Sequence, residues 1–195
     1  EAAAFFAAVN DCPIDFQCML YLMITAGLRR GELAGLQWRD IDFDNLTVSI
    51  ERNAIYTPAS GIIINTPKTE NSPRLIPLLP KVAALLKEYK EQHFQPNDSL
   101  CFVFHGKGGK TEPRLPDGIT ERVKAFMKRS GFRDLSPHDL RHSCGTLLIA
   151  NGADIKSVQE ILGHTDASTT LNFYVRTDLE QMKEATNKMA AAFGL

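Results

Sequence analysis

Apolar residues at Phe16, Leu20, Met23 and Ile24 recur at spacings of three and four, which predicts a helix with a buried face. Gly27 stands where a residue that tolerates positive φ closes such a helix. Arg29 then opens a second helical turn after a tight corner, with Leu33, Leu36 and Trp38 as its buried side, and 40–45 reads as a turn. From Leu46 to Arg52 the period changes to two, and 62–64 and 75–78 are short β-prone runs set apart by Pro, Asn and Ser. These runs predict one small antiparallel sheet. Pro80 opens a helix expected over 80–92, with Val82, Leu85, Leu86 and Tyr89 on one face. The stretch 95–117, rich in Pro, Gly and Lys, is expected to be irregular around a short strand at 101–104. Further helices are predicted over 119–130, 137–151, 155–162, 167–173 and 179–193, with Gly131, Gly152 and Gly163 where C-caps belong. The first residues, Glu1 to Phe6, read as the opening of another helix. With no internal repeat, the fold class is mainly α with a small antiparallel β-sheet (α+β), as one domain over 1–195.

Composition narrows the class. A chain of 195 residues with 44% hydrophobic content can bury a substantial core. Its longest apolar stretches are far short of a bilayer span, and no basic leader precedes them, so the expectation is a cytoplasmic protein with no membrane segment. Cys12, Cys18, Cys101 and Cys144 are scattered without a CxxC pair, which points to free thiols packed as small hydrophobes, not to disulfides or zinc. A formal net charge of −1 and a pI near 6.6 argue against a nucleic-acid partner. The span 105–141 runs the other way, with nine Lys/Arg against five Asp/Glu, a local balance of +4.

Two arginines, two histidines and a tyrosine stand out: Arg29 in Gly-Leu-Arg-Arg-Gly-Glu-Leu, His138 and Arg141 in His-Asp-Leu-Arg-His, His164 in Leu-Gly-His, and Tyr174. Guanidiniums hold a phosphate, imidazoles move protons, and a phenol can attack phosphorus. Singly, each has a structural alternative: a surface ion pair, a histidine closing a helix end, one tyrosine among four. His138 and Arg141, three apart, share a helix face, whereas His142 lies about 100° further round and should be structural or supporting.

Jointly, the segments resemble the catalytic domain of the tyrosine recombinases, the phage and transposon integrase family. Gly27-Leu28-Arg29-x-x-Glu32-Leu33-x-x-Leu36-x-Trp38-x-Asp40 is similar to that family's first box, which implies Arg29 as a phosphate ligand and Glu32 as a supporting acid. Pro67 to Leu78 is similar to the family's β-hairpin, which implies Lys68 as general acid. Ser136 to His142 is similar to the H-x-x-R box, and the pattern extends through Leu162-Gly163-His164 to Tyr174, the implied nucleophile. Arg30 should not be catalytic, since successive helical residues do not share a face.

The resemblance implies the tyrosine recombinase catalytic-domain fold and a site-specific recombinase that cuts and rejoins DNA through a 3′-phosphotyrosyl intermediate. It implies no cofactor and no metal, because the arginines carry the positive charge. It implies double-stranded DNA with specific recombination sites as partner, a tetramer on that DNA, and a prokaryotic cell with chromosomal or mobile-element DNA as the setting. The N-terminal DNA-binding domains of the family are expected to be absent before Glu1. The segment 179–193 has an apolar stripe that would dock either on a neighbouring protomer or on its own domain. Two alternatives stay open at this point: a type IB topoisomerase-like enzyme, which relaxes one duplex without exchange, and a non-catalytic DNA-binding module on the same fold.

Overall fold

A computed structural model describes residues 2–65 and 74–163. Its centre is α2 (Ile14–Thr25), in which every residue from Cys18 to Met23 is buried. A helix covered on all sides needs no polar face. It is covered by α1 (Ala2–Asn10), α4 (Pro80–His93) and α6 (Pro137–Ala150). Phe5 and Phe6 of α1 extend the core through edge-on and stacked contacts with Phe126 and Tyr21.

The corner after α2 is made by Gly27 at φ 63°, and a Cβ there would lie 2.4 Å from Leu162 Cδ2. Only glycine meets both the dihedral and the close approach. The short α3 (Arg30–Gly35) follows, with Arg29 as its N-cap, and then a 3-10 turn over Trp38–Asp40.

Among the described residues, the expected single sheet is instead three separate antiparallel sheets. The first comprises β1 (Ile41–Asp42), β2 (Thr47–Ile50) and β5 (Arg74–Pro77), in the order β1-β2-β5, with Val48 opposite both Ile41 and Ile76. The segment expected to be only a turn at 40–45 therefore contributes an edge strand. The second is a hairpin of β3 (Asn53–Thr57) and β4 (Gly61–Asn65). It is cut off from β2 because Arg52 turns into the interior, where its guanidinium pairs with Asp40 and its Nε donates to the Gly35 carbonyl at 3.3 Å. A buried charge needs such partners, and satisfying them breaks the strand.

The strand expected at 101–104 is also corrected. Among the described residues the segment makes an isolated bridge from Phe102 to Gln37 and no regular strand, while Val103 N–H donates to the Leu36 carbonyl at 2.8 Å and so anchors the segment to the end of α3. Regular pairing begins later, in the third sheet, the hairpin of β6 (His105–Gly106) and β7 (Gly109–Pro113).

Three helices close the described part: α5 (Pro116–Arg129), α6 and α7 (Ile155–Leu162). Ser136 caps α6 through a reciprocal box with Asp139, whose Oδ2 accepts from the Ser136 N–H at 2.8 Å. Asp154 caps α7 by accepting the Ser157 N–H at 2.9 Å. Cys144, Val158 and Leu162 pack α6 on α7, each large side chain contributing roughly 1.5–3 kcal/mol by burial. The helices expected over 167–173 and 179–193 lie outside the described residues.

Candidate active site

The site is built around one carboxylate. Glu32, buried in the first turn of α3, accepts four hydrogen bonds: from Arg29 N–H and Arg74 Nη2 at its Oε2, and from Arg29 Nη1 and Arg74 Nη1 at its Oε1, all at 2.7–2.8 Å. Those bonds fill the roughly four acceptor positions of an ionised carboxylate. Burial pushes the Glu32 carboxyl up. The hydrogen bonds and charge of Arg74, with the charge of Arg29, outweigh it and hold the group below its ordinary value.

The second organising element is the C-terminal end of α7, where three successive carbonyls face three arginines from distant parts of the chain. Ile161 accepts from Arg74 Nε at 3.0 Å, Leu162 from Arg141 Nη2, and Gly163 from Arg29 Nη2 at 2.9 Å. Among the described residues these carbonyls have no partner within their own helix, and the partial negative charge of the helix end favours cations. Gly163 closes α7 in the left-handed conformation at φ 59°, which turns its carbonyl toward Arg29.

Arg141 reaches this cluster from the buried face of α6, and its Nη1 also donates to the Gly27 carbonyl. Burial, helped by the charges of Arg29 and Arg74 and opposed by that of Glu32, pulls its pKa down to about 10. The guanidinium remains charged at neutral pH. Three guanidiniums around one carboxylate leave a surplus of two positive charges, and Arg29 keeps 44% of its side chain exposed. Such a cluster can bind an oxyanion and stabilise charge that grows on it.

The structure thus brings together Arg29, Glu32 and Arg141. His138 lies one turn before Arg141 on α6 and is exposed, beside Asp139. His142 is half-buried on the same helix. Arg30 points away and pairs with Asp117 of α5 at 2.6 Å. Lys68, His164 and Tyr174 lie outside the described residues. The basic span 105–141 is less free than its charge count implies, since Arg114 and Arg122 both pair with Asp15 of α2.

Sequence reasoning missed Arg74. In the sequence it is only one residue of the hairpin pattern, yet it makes three hydrogen bonds in the cluster. The available signal was Glu32 itself: a carboxylate at a buried helical position requires more cationic partners than a single arginine supplies.

The sequence profile of the Phage integrase family matches residues 1–181. The chain belongs to the phage integrase family. Among family members, the ICEBs1 integrase of Bacillus subtilis (strain 168) is 28% identical over 97% of this chain and 52% of its own length. The tyrosine recombinase XerC of Xanthomonas axonopodis pv. citri (strain 306) is 31% identical over 93% of this chain and 54% of its own. The chain therefore spans about half the length of these curated relatives. A solved structure of the Tn1549 transposon integrase in complex with transposon right end DNA superposes with a TM-score of 0.82 at 22% identity, covering 97% of this chain and 64% of that one. The family fold, mainly helical with small antiparallel sheets, is the fold observed here. No helix among the described residues is long and apolar enough to cross a membrane.

Proposed function

We propose that this phage integrase domain is the catalytic part of a site-specific tyrosine recombinase that breaks and rejoins double-stranded DNA. The observation that carries the reading is the Arg29–Arg74–Arg141 cluster, which surrounds one carboxylate and keeps a surplus of two positive charges. Of the structures that it resembles in fold, that of the Tn1549 integrase is a complex with transposon right end DNA and that of the XerH site-specific recombinase is bound to difH substrate, in keeping with DNA as partner.

In this reading the Tyr174 phenolate attacks the scissile phosphorus while Arg29 and Arg141 stabilise the charge developing on the nonbridging oxygens. The bond from phosphorus to the 5′-oxygen breaks, Lys68 delivers a proton to that oxygen, and a 3′-phosphotyrosyl enzyme remains with a free 5′-hydroxyl. His138 accepts the phenol proton and His164 donates a hydrogen bond to the phosphate. Attack by a second 5′-hydroxyl reverses the step, so the phosphodiester energy is conserved without a nucleotide cofactor. Glu32 and His142 support the cationic groups. Exchange between two duplexes needs several such sites, so self-association on DNA, as a tetramer, belongs to the proposal, as does action inside a prokaryotic cell on its chromosomal or mobile-element DNA. The test is covalent trapping on a nicked suicide duplex carrying a candidate site. A denaturation-resistant protein–DNA adduct with a 3′-phosphotyrosyl linkage supports the reading, and binding without any adduct favours a non-catalytic DNA-binding module.

A further inference from the structure

Arg74 has three features that a surface strand residue lacks. Its Nη1 and Nη2 grip both oxygens of Glu32, its Nε donates to the Ile161 carbonyl, and its side chain lies where a Cβ on Gly163 would sit, 2.8 Å from Nη1. One planar group thus joins the first strand residue of β5, the first turn of α3 and the last turn of α7. A guanidinium suits this task because its donors form a rigid fork matched to a carboxylate, which an ammonium cannot reproduce.

We propose that Arg74 is a positioning residue for the recombinase reaction, acting through Glu32 to hold Arg29 against the end of α7. The inference rests on the recombinase reading above. Glu32 meets Arg29 twice, at its backbone N–H and at Nη1, so a carboxylate that rotates takes the Arg29 side chain with it. With Arg74 in place, both Glu32 oxygens are fixed by a second partner, and the Arg29 guanidinium is left one orientation, bridging Glu32 Oε1 and the Gly163 carbonyl. Without it, a buried carboxylate loses two of its four hydrogen bonds and follows Arg29 alone.

The experiment compares the unaltered chain with Arg74→Ala, Arg74→Lys, Glu32→Ala and the Arg74→Ala/Glu32→Ala pair. It measures single-turnover adduct formation on the suicide duplex, affinity for the same duplex, and unfolding by urea. Arg74→Ala is expected to slow adduct formation by roughly tenfold to a hundredfold, the effect of losing charge-assisted hydrogen bonds, with affinity changed far less. Arg74→Lys should stay slow although it keeps the charge, and the double variant should be no slower than Glu32→Ala alone. Wild-type rates in Arg74→Ala, full rescue by Lys, or additive losses in the pair would each overturn the inference. If the unaltered chain forms no adduct, the recombinase reading fails on its own. The clamp is then judged on urea unfolding, where non-additive losses for Arg74 and Glu32 uphold it and additive losses refute it.

Discussion

The α-carbon of Gly163 faces the Arg74 guanidinium so closely that a methyl group there would lie 2.8 Å from Nη1 and 3.0 Å from Cζ. The glycine at the end of α7 is therefore required twice, for its left-handed backbone and for the space that the arginine occupies. Gly163→Ala is expected to cost about 1–2 kcal/mol from the dihedral alone. Displacement of Arg74 should add a loss of adduct formation that the dihedral does not explain. Urea unfolding and single-turnover trapping on one preparation check both, and an Ala variant that loses stability but traps DNA at the wild-type rate would separate Arg74 from catalysis.

Arg29 and Arg141 should be distinguishable although both face the same cluster. Alanine at either position is expected to lower the cleavage rate by roughly 10²–10³, the usual consequence of removing one donor from a developing oxyanion. Arg141 is buried and bonds the carbonyls of Gly27 and Leu162, so its removal should also destabilise the fold by about 1–3 kcal/mol for each carbonyl left without a partner. Arg29→Ala should lose less, because its side chain is 44% exposed and water can replace its contact with the Gly163 carbonyl. Equal melting temperatures for the two variants would contradict the structural role assigned to Arg141.

Acid should weaken the domain in part through Glu32. Its folded-state pKa is held below the ordinary carboxylate value, so its stabilisation is complete above the unfolded-state pKa and is lost as pH falls through the folded one. Asp15, which burial pushes up but the hydrogen bonds and charge of Arg122 and the charge of Arg114 together hold below its ordinary value, contributes in the same direction. Urea unfolding from pH 7 downward is therefore expected to show falling stability, with a shallower slope in Glu32→Gln. An unchanged slope would mean that the Arg74–Glu32 contacts are not made in solution.

Tyr174→Phe is expected to abolish the covalent adduct while costing no more than about 1 kcal/mol of stability, the worth of one hydroxyl hydrogen bond. A persistent adduct in this variant would move the nucleophile to another residue.

Chelation by EDTA should leave adduct formation unchanged, because the guanidiniums supply the charge that a divalent ion would otherwise bring. A suicide-substrate titration reads this directly, and dependence on added magnesium would assign the chemistry to a metal-assisted nuclease instead.

Local pattern was enough for much of this molecule. The helices at 80–92 and 155–162 follow from apolar spacing and from Pro80 and Gly163 at their ends, and they form at Pro80–His93 and Ile155–Leu162. Arg29, Glu32 and Arg141 could be selected as site candidates because their motifs resemble those of a known family, with helical spacing adding only that His138 and Arg141 share a face. What the sequence could not determine was set by partners far away in the chain. The sheet divides because Arg52 finds Asp40 and Gly35 inside, and the region after residue 100 pairs late because Val103 is already bound to Leu36. Arg74 joins the site only because the fold carries β5 to the end of α7, 87 residues onward, where one buried carboxylate and three orphan carbonyls converge. Periodicity encodes which face of an element is buried. Which charges meet across that burial depends on the packing of elements from four separate stretches of chain, and the cost of leaving a buried charge or carbonyl unpaired is what fixes the arrangement.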